Sequence, residues 1–274
     1  PVSHITETVR SIQEEEDLSR RIDLGEGRDE IYRLASTFDN MLEQIEESMK
    51  REKQFTSDVS HELRTPLAVI LMQCDSLLSQ DGLTDEVREE ITVIRKKAGG
   101  LSGMIAQLLL LSRADQGREK VTKETLDLSE LSEMAAAEMT ALAEEKEIRL
   151  ETEIEPHLMV CGDETLLIRL WLNLLQNAVT YGKRGGCIRM SLQDKDDMVT
   201  GCVEDDGIGI SAEDLPHIWE RFYRADSSRS DSGSSGLGLS MVQWIVSVHN
   251  GTIQAASQPG RGSRFTFQLP KEKK

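Results

Sequence analysis

The octet Ser60-His61-Glu62-Leu63-Arg64-Thr65-Pro66-Leu67 places an imidazole beside a carboxylate, with a hydroxyl four residues on at Thr65. Around it, Leu63, Leu67, Ile70, Cys74 and Leu77 recur at spacings of 4, 3, 4 and 3, a helical seam that asks for partner helices. At ~100° per residue His61 falls roughly opposite the mean direction of that seam and faces solvent. A neutral imidazole is nucleophilic at neutral pH, yet a lone surface histidine usually does no chemistry. Four further clusters bear on the choice. Asn173 and Asn177 lie four apart on an otherwise apolar helix, Leu172 to Val179. Amides beside a buried face need partners, and an amide oxygen is a neutral hard ligand suited to a Mg²⁺ already held by phosphates. Val203-Glu204-Asp205-Asp206-Gly207-Ile208-Gly209-Ile210 ends an alternating run with acids and two glycines, where a carboxylate can accept from an exocyclic amine and a ligand can approach the backbone. Gly233-Ser234-Ser235-Gly236-Leu237-Gly238-Leu239 precedes an apolar helix, an arrangement that binds anions, although such a loop can equally be a linker. Gly260-Arg261-Gly262-Ser263-Arg264-Phe265 enters a final strand.

The elements that must hold these residues can be read from periodicity. Residues 1 to about 50 read as two helices with an irregular connector, the first with seam Val2, Ile5, Val9 and Ile12, the second with Ile31, Leu34, Phe38, Met41 and Ile45. Two such short helices cannot bury both seams alone, so a dimeric four-helix coiled coil is expected. After Ile45 the heptad falters at Ser48 and Glu52 and resumes through Met49, Phe55, Val59, Leu63 and Leu67. That is a stutter-like phase shift, either a switch between two packings or a plain domain junction. Val87, Ile91, Ile94, Ala98, Leu101, Ile105 and Leu108 form a second helix, paired with the one that carries His61, after a turn at Gln80-Asp81-Gly82. Two helices make half of a four-helix bundle, so the chain is expected to homodimerise. From about 119 the texture changes to strand-like runs at 148–154, 188–192, 198–203, 252–256 and 264–269, with apolar helices around 128–145, 164–181 and 240–249. Strands with helices on one side give an α+β two-layer sandwich. Asp226 to Ser235 is too polar to pack and reads as a mobile lid, while Trp171, Trp219 and Trp244 read as core.

Bulk properties narrow the classes. The 274 residues suggest two or three units, and a formal charge of −17 argues against a nucleic-acid partner. Cys74, Cys161, Cys187 and Cys202 have no metal or disulfide spacing and suit a reducing compartment. No run approaches the ~20 apolar residues of a membrane helix. The chain opens inside a helical seam, which is expected of a truncated piece.

Taken in order and spacing, these clusters resemble the phosphoacceptor box followed by the N, G1, F, G2 and G3 boxes of sensor histidine kinases, with Ile218-Trp219-Glu220-Arg221-Phe222-Tyr223-Arg224 as the F box. The segment with Asp29-Glu30-Ile31 resembles a HAMP signal-relay domain, its alternative being a generic coiled-coil spacer. The resemblance implies three domains: HAMP at 1–50, a dimerisation and histidine-phosphotransfer hairpin at 51–116, and a GHKL-type catalytic ATP-binding domain at 119–274. It implies that ATP phosphorylates His61, that Glu62 orients the ring or takes its proton, and that Thr65 serves a phospho-regulator phosphatase. Asn177 would ligate Mg²⁺, Asn173 and Tyr181 would line the site, and Asp205 would read adenine. Gly207, Gly209, Gly236 and Gly238, with Leu237 and Leu239, would shape the site, Arg224 would reach the γ-phosphate, and Lys183 or Arg184 would contact phosphate. The phosphoryl group would pass to an aspartate of a response-regulator protein. A transmembrane helix would precede the chain, placing this fragment on the cytoplasmic face of a membrane. The sequence departs from the family pattern at Thr180, where a Lys is frequent, at Gly182 (Ser or Thr), at Asp206 (Asn) and at Trp219 (Phe). Two other readings share part of the pattern: a gyrase- or chaperone-type ATPase, which has no His61 bundle, and a scaffold that binds ATP without phosphorylating.

Overall fold

The computed structural model describes residues 5, 6, 8, 10, 20–25, 27, 29–80, 82–115, 119–225 and 235–272, with the side chains at 49–50, 52–58, 60 and 61 outside that set. The chain divides into two compact units, Pro1–Val69 and Ile70–Lys274.

In the first unit, helix α1 (Glu30–Leu78) starts where the Asp29 carboxylate accepts from the N–H groups of Ile31 (3.2 Å) and Tyr32 (3.1 Å), satisfying two first-turn donors. The connector before it is tied to α1 through Asp39, whose two oxygens accept from Ile22 N (2.7 Å) and Asp23 N (3.1 Å), and through an Arg21–Glu46 ion pair at 2.7 Å. Ile22, Ala35 and Leu42 are buried, whereas Leu34, Met41 and Ile45 of the predicted seam stay exposed. The buried positions of α1 are therefore turned by about one residue from that seam, toward the side on which Asp39 receives the connector. Helix α1 runs unbroken for 49 residues, through Pro66, which has no N–H to donate to the Glu62 carbonyl. The side chains of Met49, Glu52 and Phe55, on which the predicted phase shift turns, lie outside the described residues, as do residues 226–234 of the predicted lid.

In the second unit, the end of α1 turns at Gly82 (φ +92°) into α2 (Asp85–Asp115). Cys74, Ile91 and Ala98 are buried, and Arg95 pairs with Asp75 at 2.5 Å. Ile70 and Leu77 on α1, and Val87, Ile94 and Leu101 on α2, remain exposed at intervals of 7. That is the other half of each seam, open as a second chain would require.

The remaining elements are β1 (Glu124–Asp127), α3 (Leu128–Glu145), β2 (Arg149–Ile154), β3 (Met159–Gly162), α4 (Glu164–Tyr181), β4 (Cys187–Lys195), β5 (Met198–Asp205), α5 (Gly238–Val248), β6 (Thr252–Gln258) and β7 (Gly262–Pro270). Five strands form one sheet in the order β2-β4-β5-β7-β6, parallel only between β2 and β4, while β1 and β3 pair separately. Alternation decides which face is covered: Ile188, Met190, Leu192, Val199, Val203, Phe265, Phe267 and Leu269 are buried in one core with α3, α4 and α5. Trp171, wholly buried, meets Phe267 edge-on at 4.9 Å, and Trp219 and Trp244 pack against the same core. On the opposite face the directly paired Glu151, Arg189, Glu204 and Arg264 make a solvent-exposed ladder of alternating charge.

Candidate active site

Helix α4 is fixed at both ends. Asp163 caps its start, accepting from Leu166 N at 3.1 Å, and the Lys146 ammonium donates to the carbonyls of Val179 (2.9 Å) and Thr180 (3.0 Å) at its end. The Tyr181 carbonyl accepts from Ile208 N at 3.1 Å. Asn173, Asn177 and Tyr181 thus form a half-buried stripe one turn apart along a helix that cannot roll. Asn173 turns its amide N–H to the Arg169 carbonyl at 2.8 Å, which leaves its oxygen toward Gly238.

Strand β5 delivers Asp205, buried at 7% exposure. Burial pushes its carboxyl above the ordinary carboxylate range, the N–H groups of Gly207 and Ser263 pull it back, and Asp206 and Glu204 push it up again. The Gly207 N–H donates to its Oδ1 at 2.8 Å. A Cβ on Gly207 would overlap the Tyr181 carbonyl oxygen and stand 2.7 Å from Asp205 Oδ1. Gly209, at φ +70°, lies so close to the Gln258 carbonyl that no side chain fits. The Gly260 segment braces this loop from behind, Gly260 N donating to Ile208 O at 2.7 Å.

Helix α5 begins at Gly238 with no side-chain cap from Leu237, the kind of helix start that can take an anion. A Cβ on Gly238 would lie 3.1 Å from Asn173 Oδ1, which shows how closely this bare helix start approaches the α4 amides. Gly236 (φ +69°) makes the turn before it, its carbonyl accepting from Phe222 N at 2.9 Å.

Two clefts meet along this stripe. One, with about 660 Å³ of empty space including its mouth, is lined by Asn177, Tyr181, Asp205, Gly209, Arg224 and Leu239 together with Ile208, Ile210, Ile218, Tyr223, Ser263 and Phe265. The other brings Asn173, Asn177, Tyr181, Gly236, Gly238 and Leu239 against Gly100, Gly103 and Gln107 of α2. The predicted nucleotide residues therefore converge, with three distinctions. Leu237 is buried in the core, and Gly207 acts as bare backbone beneath the first cleft. Lys183 lines neither cleft; its ammonium donates to the Gly260 carbonyl at 3.1 Å, while Arg184 pairs with Glu147 at 2.8 Å. Sequence reasoning missed the apolar walls Ile210, Ile218 and Phe265 and the Tyr223–Asp214 hydrogen bond of 2.6 Å that braces one wall. Of the octet, Glu62 and Thr65 are exposed on α1, and the His61 side chain lies outside the described residues.

Comparison with known proteins accords with this geometry. Residues 162–273 match the histidine kinase-, DNA gyrase B- and HSP90-like ATPases, 51–117 match the His Kinase A (phospho-acceptor) domain, and 1–47 match the HAMP domain. The chain carries, in order, the HAMP, phospho-acceptor and ATPase domains found in sensor histidine kinases. Among its relatives, sensor-like histidine kinase SenX3 of Mycobacterium tuberculosis is 36% identical over 220 residues, 80% of this chain and 53% of that protein. Sensor histidine kinase YkoH of Bacillus subtilis is 33% identical over 274 residues, 99% of this chain and 59% of that protein. The crystal structure of full-length ShkA in complex with AMPPNP has a TM-score of 0.69 at 26% identity, covering 81% of this chain and 46% of that one. The chain thus spans little more than half the length of the curated relatives it matches. No helix among its described residues is long and apolar enough to cross a membrane.

Proposed function

We propose that the chain carries out ATP-dependent phosphorylation of His61 and hands the phosphoryl group to an aspartate of a response regulator. The observation that carries the nucleotide half of this reading is the convergence of Asp205, Asn177 and the uncapped start of α5 on one pair of joined clefts. Asp205, with an acceptor oxygen at the buried end, reads the adenine amino group between Ile210, Ile218 and Phe265. The start of α5, with Gly236 and Gly238 as bare backbone, takes phosphate oxygens, and Arg224 on the wall complements their charge. AMPPNP in the complex of the similar ShkA supports ATP as the nucleotide.

The donor set fits a phosphate-held cation. Among the described residues no group of three or more His, Cys, Asp or Glu could hold a metal, so a Mg²⁺ would be carried by the nucleotide, with the Asn177 amide oxygen as its protein ligand. When bound, that ion supplies neutralisation of phosphate charge. In the transfer, a His61 nitrogen forms an N–P bond as the bond from the γ-phosphorus to the β,γ-bridging oxygen breaks, ADP leaves, and Glu62 orients the ring or accepts its proton. Thr65, one turn along α1, serves hydrolysis of the phosphorylated regulator.

In this reading 1–50 relay a signal, 51–116 form the phosphotransfer hairpin, and 119–274 form the catalytic domain. The exposed half-seams close in a homodimer, and a membrane segment preceding the chain holds it on the cytoplasmic face. Fluorescence titration with ATP, with and without Mg²⁺, tests the site. Micromolar binding that weakens on Asp205→Asn is expected; binding of the variant as tight as wild type, or no binding at all, refutes the assignment.

A further inference from the structure

Two serines stand where the alternation of their strands calls for apolar side chains. Along β6, Ile253 and Ala255 pack against the core, and Ser257 follows at the next inward position; along β7, Ser263 precedes Phe265, Phe267 and Leu269 on the same face. The two serines are directly paired across the strands, and Ser263 is also paired with Asp205 of β5. Ser263, at 9% exposure, lines the first cleft beside Asp205. Ser257 is not among the residues that line that cleft. It lines a neighbouring hollow that shares only Asp205 and Ser263 with it.

A hydroxyl has one proton to donate and two lone pairs that accept. Ser257 Oγ has three contacts: Ile210 N at 2.7 Å, the Gly262 carbonyl at 2.8 Å and Ser263 Oγ at 3.0 Å. The amide can only donate and the carbonyl can only accept. The Ser257 proton therefore goes to Gly262, and its lone pairs take the Ile210 N–H and the Ser263 O–H. The opposite assignment, with Ser257 donating to Ser263, would leave two oxygens 2.8 Å apart with no proton between them. Gly262 has little room to relieve that, because at φ +95° it passes so close to the Asp205 carbonyl that no side chain fits. The Ser263 proton is thus taken up by Ser257, and toward the cleft the Ser263 oxygen can only accept.

We infer, resting on the nucleotide reading above, that Ser257 sets the polarity of the base end of the cleft: it holds Ser263 as an acceptor beside Asp205, so that a 6-amino purine is taken and a 6-keto purine rejected. An exocyclic amino group brings two N–H donors to these acceptors. A keto oxygen in its place brings only lone pairs against Asp205 and Ser263. Buried acceptors left without donors are costly, and a site built around a hydrogen bond rejects the analogue that lacks its partner. Ser257 is a positioning residue, acting on the base through Ser263 and holding the Ile210 wall by the same oxygen.

The test is the ratio of ATP to ITP affinity, measured by titration on the wild type, Ser257→Ala, Ser263→Ala and the double variant, with a melting curve for each. The wild type should prefer ATP by roughly tenfold or more. Ser257→Ala frees the Ser263 proton to turn toward a keto oxygen, so the ratio should fall about tenfold, with ATP binding weaker and ITP binding no weaker than in the wild type. Ser263→Ala removes the second acceptor and should lower the ratio as well. Adding Ser257→Ala to it should leave the ratio unchanged, as one residue acting through the other requires. Equal losses for both nucleotides in Ser257→Ala, with the ratio within twofold of wild type, would mean wall support alone and overturn the inference. So would a further fall in the double variant. An unchanged ratio in Ser263→Ala overturns it by itself, so the test stands even if Ser257→Ala melts below the assay temperature. A wild type that binds ATP and ITP equally overturns the inference and leaves the ATP site standing, whereas one that binds neither refutes the nucleotide reading and the inference with it.

Discussion

Gly207→Ala should weaken nucleotide binding far more than one methyl group suggests. The added Cβ would overlap the Tyr181 carbonyl oxygen and stand 2.7 Å from Asp205 Oδ1. Neither neighbour is a free side-chain end. The Tyr181 carbonyl is held by Ile208 N at 3.1 Å at the end of a helix whose preceding carbonyls are held by Lys146, and Asp205 is buried and accepts backbone N–H groups. The yielding part must be the 206–210 loop itself. Overpacking of this kind costs about 1–3 kcal/mol, and at ~1.4 kcal/mol per decade a full transfer of that cost to the bound state lowers affinity roughly 5- to 150-fold. ATP titration followed by fluorescence gives the affinity, and thermal melting of the same samples gives the change in stability. An affinity within twofold of wild type, with an unchanged melting temperature, would refute the packing on which this rests.

Other expectations follow from single contacts. His249 is buried with Nδ1 2.7 Å from the Ile245 carbonyl and Nε2 accepting from Asp163 N at 2.9 Å, and burial lowers its pKa, so it is neutral in the fold. The unfolded imidazole takes its proton near pH 6.5, so stability should be full above that value and fall as pH drops below it; melting curves between pH 5 and 7.5 should show this slope, and His249→Asn should flatten it. Lys146→Met leaves the Val179 and Thr180 carbonyls without their ammonium donor, and should weaken ATP binding about two- to fivefold, with Lys146→Arg restoring it; equal affinity in all three proteins would mean that α4 keeps its end without the cap. Thr65→Ala should lower phospho-regulator phosphatase activity at least tenfold while autophosphorylation changes less than twofold; equal losses in both assays would leave Thr65 as helix support only.

The legible part of this fold was the part with long periodic runs. Alternation located β2 and β4 to β7, and the four-residue spacing of Asn173 and Asn177 placed those two on one face, whereas Tyr181 came from the family resemblance. Strands β1 and β3 were missed because each is four residues long, too short for alternation to register. The burial of Ala35 and Leu42 was not legible either, since the Asp39 contacts to Ile22 N and Asp23 N on that side of α1 come from an irregular connector. Lys183 illustrates a different limit. It follows α4 closely in sequence, but Gly182 leaves the helix at φ −64° and ψ 154°, and the lysine is carried to the Gly260 carbonyl instead of the cleft. The cation that does stabilise the end of α4 is Lys146, more than thirty residues earlier, which no local pattern could nominate. Asp205 was readable as a strand-end acid, whereas its burial and its two backbone donors needed the pairing of β5 with β7.

The central claim is that His61 is the phosphoacceptor, and incubation of the chain and of His61→Gln with γ-labelled ATP tests it most directly. The account predicts acid-labile label on the wild type, none on the variant, and ATP binding by both within twofold. Acid-labile label retained on the variant would move the acceptor to His4, His157, His217 or His249 and contradict the account.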